Sequence, residues 1–193
     1  MKIEKPKSKQ PIPKNAKRVF KGVIFDVYQW EQDLYNGAKT TFEKLQRPDT
    51  VLIIPVTKEG KIILSYQEQP GKAPFVGTVG GRVDEGENAL EAAKRELLEE
   101  AGYEAKDWLL LDAFQPVSKI EWAIYVLVAR GCHKVAEQSL DGGEKIDLKL
   151  VNFEEFVEMV LDGKFGDTEL RVKFLEAKLD SSKMMELRKL IME

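Results

Sequence analysis

Gly81-Arg82-Val83-Asp84-Glu85-Gly86-Glu87-Asn88-Ala89-Leu90-Glu91-Ala92-Ala93-Lys94-Arg95-Glu96-Leu97-Leu98-Glu99-Glu100-Ala101-Gly102-Tyr103 puts three carboxylates on one turn of a helix that follows a glycine-bearing loop. Residues three and four apart are neighbours on a helix, so Glu96, Glu99 and Glu100 point the same way. Like charges at that spacing destabilise an isolated helix by roughly 0.2–0.5 kcal/mol per pair. A divalent cation removes the repulsion, and oxygen ligands with no Cys or His among them suit Mg²⁺ or Mn²⁺ rather than Zn²⁺. Asn88 followed by Glu91 has the capping-box pattern, so the helix is predicted to start near Asn88 and to run to Ala101, with Gly102 as its stop. Leu90, Ala93, Leu97 and Ala101 form its apolar side. Ala89 and Ala92 are expected nearer the carboxylates, where small side chains leave room for a ligand. A solvated acidic face accounts for the glutamates alone, but not for the glycines and the arginine set around them.

Outward from this stretch the chain alternates strands and helices. Arg18 to Trp30 is rich in β-branched and aromatic residues, Asn36-Gly37 supplies a turn, and Lys39 to Leu45 reads as the returning strand. Val51 to Val56 and Lys61 to Tyr66 form a second hairpin around Glu59-Gly60, and Phe75 to Gly80 leads into the loop. Trp108 to Phe114, Ile120 to Val128 and Ile146 to Val151 are further strands, the second too apolar to be exposed on both sides. Asn152 to Leu161, Asp167 to Leu179 and Ser182 to Met192 are predicted helices. The whole predicts an α/β fold, an α/β/α sandwich with a mixed sheet. Residues 1–17, with six lysines and Pro6, Pro11 and Pro13, cannot build a core and are expected as a basic mobile arm. Residues 18–48 form an N-terminal β extension, and 49–193 the main domain with its C-terminal helices.

With 193 residues and 43% hydrophobic content, the chain is sized to bury one domain core. A net charge of −3 gives no strong pull toward nucleic acid or an anionic membrane. No apolar run reaches spanning length and no signal segment opens the chain, so a cytoplasmic protein is expected. Cys132, the one cysteine, excludes an intrachain disulfide and reads as a packing residue. The single His133 reads as a surface loop residue.

From Gly81 the chain spells Gly-x5-Glu-x7-Arg-Glu-U-x-Glu-Glu-x-Gly-U, where U is bulky and apolar or aromatic. Gly81, Glu87, Arg95, Glu96, Leu97, Glu99, Glu100, Gly102 and Tyr103 fill every fixed position. This resembles the Nudix box. Over nearly all the chain after residue 18 the sequence is similar to the ADP-ribose pyrophosphatase-like group of nucleoside diphosphate sugar hydrolases. The resemblance implies a Nudix α/β/α sandwich and Mg²⁺-dependent hydrolysis of a pyrophosphate bond. Glu96 and Glu100 match the principal metal ligands, Glu99 an auxiliary ligand or base, and the Gly80 carbonyl a backbone ligand. Arg95 matches the arginine that pairs with Glu87 and steadies the catalytic helix. Leu140 to Ile146 resembles a mobile loop delivering a further glutamate, so Glu144 is expected as an extra ligand or the general base.

On the substrate side the resemblance implies Arg47, Arg82, Ser118 and Glu121, the last two against the terminal ribose. Tyr28 or Trp30 is placed to stack on a base, and the extension to serve a homodimer. Three positions depart from the group. Thr78-Val79-Gly80-Gly81 replaces a Leu-Pro-Gly/Ala-Gly stretch, Gln69 stands where an arginine meets phosphate, and Gly142 stands where some relatives carry a second loop glutamate. The expected substrate is ADP-ribose, cleaved to AMP and ribose 5-phosphate. GDP-mannose, NADH and dinucleoside polyphosphates are alternatives, and a non-catalytic nucleotide-sugar sensor is the rival class.

Overall fold

The computed structural model describes residues 3–193; the first two residues of the expected arm lie outside the described residues. Twelve strands and four helices form among them. The N-terminal extension forms β1 (Lys17–Lys21), β2 (Asp26–Asp33) and β3 (Lys39–Gln46), and β10 (Ile120–Glu121) of the main domain joins their sheet, in the order β1-β2-β3-β10, with β10 parallel to β3. Leu34 to Gly37 turns the chain between β2 and β3, and Gly37 takes the positive φ of 81° that the reversal needs.

The larger mixed sheet runs β12 (Lys145–Val151), β5 (Ile62–Gln69), β4 (Thr50–Thr57), β11 (Ile124–Lys134) and β8 (Tyr103–Glu104). β6 (Lys72–Gly77) pairs with β5, β7 (Val79–Arg82) with β4, and β9 (Asp107–Phe114) with β11. β4 and β11 are parallel neighbours at the centre, which explains why both read as nearly continuous apolar runs. Their side chains alternate. Val51, Ile53, Tyr125, Leu127 and Ala129 face one core, with Ala92, Ala93 and Leu97 of the box helix. Ile54, Val56, Ile124, Val126 and Val128 face the other, with α2 (Phe153–Leu161), α3 (Thr168–Lys178) and α4 (Ser181–Met192). Two cores on opposite faces of one sheet make the sandwich.

Four expectations meet a different structure. The arm is tied down from Lys5 to Gln10: Lys44, 1% exposed, donates to Ser8 Oγ (2.8 Å), the Gln10 carbonyl (2.6 Å) and Glu121 Oε2 (2.7 Å). Gln115 Nε2 donates to the Pro6 carbonyl, and Lys5 pairs with Asp49. A buried ammonium must have its donors satisfied, and the arm's carbonyl and hydroxyl groups do this. Second, the lead-in from Phe75 to Gly80 is itself strand, the end of β6 and the start of β7, the latter closing on β4 through glycines. Third, Ala89 and Ala92 are buried in the core rather than lining the acidic side. Fourth, His133 lies exposed on β11, paired with Glu104 of β8, not in a loop.

Candidate active site

The box helix begins as α1 (Ala89–Glu96). Its Asn88 cap accepts from the amides of Leu90 and Glu91 while Glu91 reaches back to the Asn88 amide, completing the capping box. From Leu97 to Ala101 the helix widens into a π-turn, and Gly102 ends it at φ 72°. Single π-turns inside α-helices recur at functional sites. Here the π-turn contains Glu99 and Glu100: Glu99 stays partly exposed and Glu100 is 5% exposed.

Arg95 organises the cleft. Its guanidinium has five N–H groups, and the structure gives each a partner. Nε and Nη2 grip the two oxygens of Glu87 at 3.1 and 3.0 Å; Nη1 donates to Glu96 (2.8 Å) and Glu99 (2.9 Å); Nη2 also donates to the Arg82 carbonyl (2.8 Å). The Glu87 pair, before the others, raises the Arg95 pKa. Glu100 turns the other way and accepts from the Gly80 amide at 2.8 Å. Gly80 must be glycine, with φ 153° and backbone against it, while a side chain at Gly81 would displace the Glu96 carboxylate. A Cβ on Gly80 would stand 2.1 Å from the Val51 carbonyl oxygen, and one on Gly81 within 2.4–2.7 Å of the Glu96 carboxylate.

Gly80, Gly81, Arg82, Asp84, Arg95, Glu96, Glu99, Glu100, Ser139, Leu140, Asp141 and Glu144 line one cleft of about 350 Å³. Burial pushes Glu100 up to about 8, against the Gly80 hydrogen bond and with help from Glu96, Glu144 and Asp167. Burial also raises Glu96, opposed by Arg95. A carboxylate as desolvated as Glu100 needs a cation to be charged at neutral pH. An all-oxygen donor set suits a hard divalent ion. As the side chains stand, no three acidic groups among the described residues already converge to hold one. Arg95 draws Glu96 and Glu99 together on one side, and Gly80 holds Glu100 on the other. The residues that would hold an ion are Glu96, Glu99, Glu100, Glu144 and the Gly80 carbonyl, and their chemistry fits it.

Of the residues expected at the site, the fold therefore brings Gly80, Arg82, Arg95, Glu96, Glu99, Glu100 and Glu144 together. Gln69 borders an adjoining hollow that shares Glu144. Arg47 stands apart from the cleft wall, its guanidinium 4.5 Å from the Trp122 ring centroid, with Nε buried and unpartnered. Burial, and after it Arg82, lowers its pKa. Glu121 is engaged by Lys44 and Gln115; burial raises its carboxyl, but those hydrogen bonds prevail and the net shift is downward. Ser118 sits exposed on the turn before β10. Trp30 is 7% exposed, edge-on to Phe42 and bonded to Gln32, so in this chain its ring is closed to a ligand; Tyr28 lies half-buried on β2.

Sequence reading missed the lacing that carries Glu144 to the cleft. The amides of Val135 and Ala136 donate to the Gly102 carbonyl, Ser139 N–H to that of Glu99, and Gln138 Nε2 to that of Glu100 at 2.6 Å. These bonds satisfy carbonyls left open at the end of the box helix. Asp84 and Asp141 also went unflagged, and only their neighbourhood to the box and the loop glutamate marks them.

Residues 46–172 match the NUDIX domain model. The chain belongs to the Nudix family. At 29% identity it is similar to an "ADP-ribose pyrophosphatase" of Bacillus subtilis and to a "Methanol dehydrogenase activator" of Bacillus methanolicus, each alignment covering 83% of this chain and 90% of the relative. It is 27% identical to the "ADP compounds hydrolase NudE" of Escherichia coli over 75% of this chain and 77% of that one. A solved structure of an ADP compounds hydrolase superimposes with a TM-score of 0.68 at 22% identity, covering 92% of this chain and 98% of that one, and shares its fold. This chain is thus a Nudix pyrophosphohydrolase, similar in sequence to an ADP-ribose pyrophosphatase, of a family that generally uses divalent metal ions. No helix among the described residues is long and apolar enough to cross a membrane.

Proposed function

We propose that this protein hydrolyses the pyrophosphate bond of a nucleoside diphosphate sugar, with ADP-ribose giving AMP and ribose 5-phosphate, and that Mg²⁺ is its ion, with Mn²⁺ able to replace it. The observation that carries this reading is that Glu144, on a separate loop, lines the same cleft as Glu96, Glu99 and Glu100. Bound there, a divalent ion supplies charge neutralisation for the diphosphate and lowers the pKa of an attacking water. The chain's own groups do the rest. Arg95 and the Gly80-Gly81 backbone fix the carboxylates. Arg82 on the cleft wall, with Arg47 beyond it, adds positive charge for a phosphate, and Glu144 or Glu99 receives the proton released as water attacks. The names of the relatives favour an adenosine diphosphate compound.

The test is product release with Mg²⁺ from ADP-ribose, GDP-mannose, NADH and a dinucleoside polyphosphate. The expected result is the highest kcat/KM for ADP-ribose. Preference for another substrate corrects the base or sugar, and silence across all of them favours a sensor.

Residues 18–48 are proposed to serve a homodimer. Phe20, Val23 and Ile24, on β1 and the bend after it, are 50–98% exposed, an apolar strip of the kind that oligomerisation covers. Light scattering at micromolar concentration should give twice the 22.0 kDa chain mass; a monomer mass rejects the dimer.

A further inference from the structure

Asp167 stands at the N-cap of α3 yet makes no side-chain hydrogen bond to that helix. An aspartate in this position ordinarily accepts from its own helix amides. Here its Oδ2 instead reaches across the fold to Thr78, accepting from the backbone N–H and from Oγ1, each at 2.9 Å. Nearby contacts seat the segment. The Gly166 amide donates to the Val76 carbonyl at 2.7 Å, and Phe165 bridges to Val76. From the other side, Ser65 Oγ donates to the carbonyls of Thr78 (2.9 Å) and Gly77 (3.1 Å), and Gln67 Nε2 donates to Ser65.

Thr78 is therefore held at its amide, its hydroxyl and its carbonyl. One residue on, Val79 is fully buried against β4. One further, the Gly80 amide meets Glu100. Hydrogen bonds at Thr78 and at Gly80, joined through the buried Val79, thus link the start of α3 to the most buried carboxylate of the cleft. Asp167 is absent from the cleft wall, so it touches nothing bound there; besides its charge, which helps to raise Glu100, its contact with the site runs through Thr78.

We propose that Asp167 is a positioning residue, which through its two bonds to Thr78 sets the Gly80 end of β7 and with it the place of Glu100; its effect on turnover rests on the function proposed above. Both bonds go to a single oxygen. The amide oxygen of Asn can accept the same pair, so geometry survives Asp167→Asn while the charge does not. A metal-binding or proton-transferring role would instead require the charge.

The experiment compares wild type, Asp167→Asn, Asp167→Ala and Thr78→Val by two readouts. One is Mg²⁺-dependent kinetics on ADP-ribose; the other is hydrogen-exchange protection of the Gly80 amide by NMR, without metal or substrate. Misplacing a catalytic group by about 1 Å can cost about 100-fold. Asp167→Ala should therefore lose about 30–100-fold in kcat with KM little changed. It should also lose at least about ten-fold in Gly80 protection while amides in β11 keep theirs, a local change that general destabilisation would not produce. Asp167→Asn should stay within about three-fold of wild type in both readouts, since the hydrogen bonds it keeps are what place the group. Thr78→Val removes only the hydroxyl bond, keeps the side-chain shape, and should fall between them; it decides the matter if the alanine variant does not fold. Unchanged Gly80 protection in Asp167→Ala, or in Thr78→Val if the alanine variant is lost, overturns the proposal. So does an Asn variant as impaired as Ala. If wild type cleaves none of the substrates, the functional reading has failed, and the exchange measurement still decides the role of Asp167.

Discussion

Glu100→Gln is expected to lower turnover by about 100–1,000-fold, the scale seen when one group that stabilises transition-state charge is removed. The substitution scarcely changes volume, and the Gln carbonyl oxygen can still accept from the Gly80 amide as Glu100 does at 2.8 Å. The loop and helix should keep their places and only the charge should go. Because burial makes that charge costly in the absence of a cation, the variant should be at least as stable as wild type in chelator. Loss of turnover combined with retained melting temperature is therefore the expected pair of results. Near-wild-type turnover would remove Glu100 from the metal site.

Chelation should make stability fall with rising pH, and Mg²⁺ should reverse the trend. The Glu100 carboxyl moves from its ordinary 4.5 to about 8 on folding. The folded state therefore binds more protons than the unfolded state between those values. Stability is then fully present below about 4.5 and is lost as pH climbs toward 8, by at most about 1.4 kcal/mol per pH unit. Glu96 shifts in the same direction. A divalent ion binds the deprotonated groups, so its stabilisation should grow over the same window. For a chain of this size about 1 kcal/mol corresponds to roughly 2–4 °C in melting temperature. Thermal melts at pH 5 to 8, with chelator and with Mg²⁺, should diverge by several degrees at the upper end. The chelated curve of Glu100→Gln should lie flatter than that of wild type. Parallel curves would show that the carboxylates and the ion are not coupled.

What could be read in the sequence was what lies close together in it. The capping box Asn88/Glu91 lies within four residues and marked the start of the box helix. The box itself is contiguous, so its arginine, glutamates and glycines gave both the fold and the acidic half of the cleft. The central strands β4 and β11 were plain because both faces are buried. What stayed hidden depends on partners far apart in the chain. Nothing local distinguishes Lys44 from a surface lysine until Ser8, Gln10 and Glu121 close around it. Nothing local turns Asp167 from its own helix to Thr78. The small alanines 89 and 92 gave little hydrophobic signal, although close packing of helix on sheet needs them. Trp30 looked available for a base because an aromatic residue in an extension carries no mark of the Phe42 ring it meets.

The most direct measurement of the central claim is phosphorus NMR of ADP-ribose incubated with the purified protein, with Mg²⁺ and then with excess chelator. The expected result is replacement of the diphosphate resonances by two monophosphate signals, those of AMP and ribose 5-phosphate, with the conversion stopped by chelation. Diphosphate signals that persist with Mg²⁺ present, or that vanish equally fast in chelator, would contradict the account.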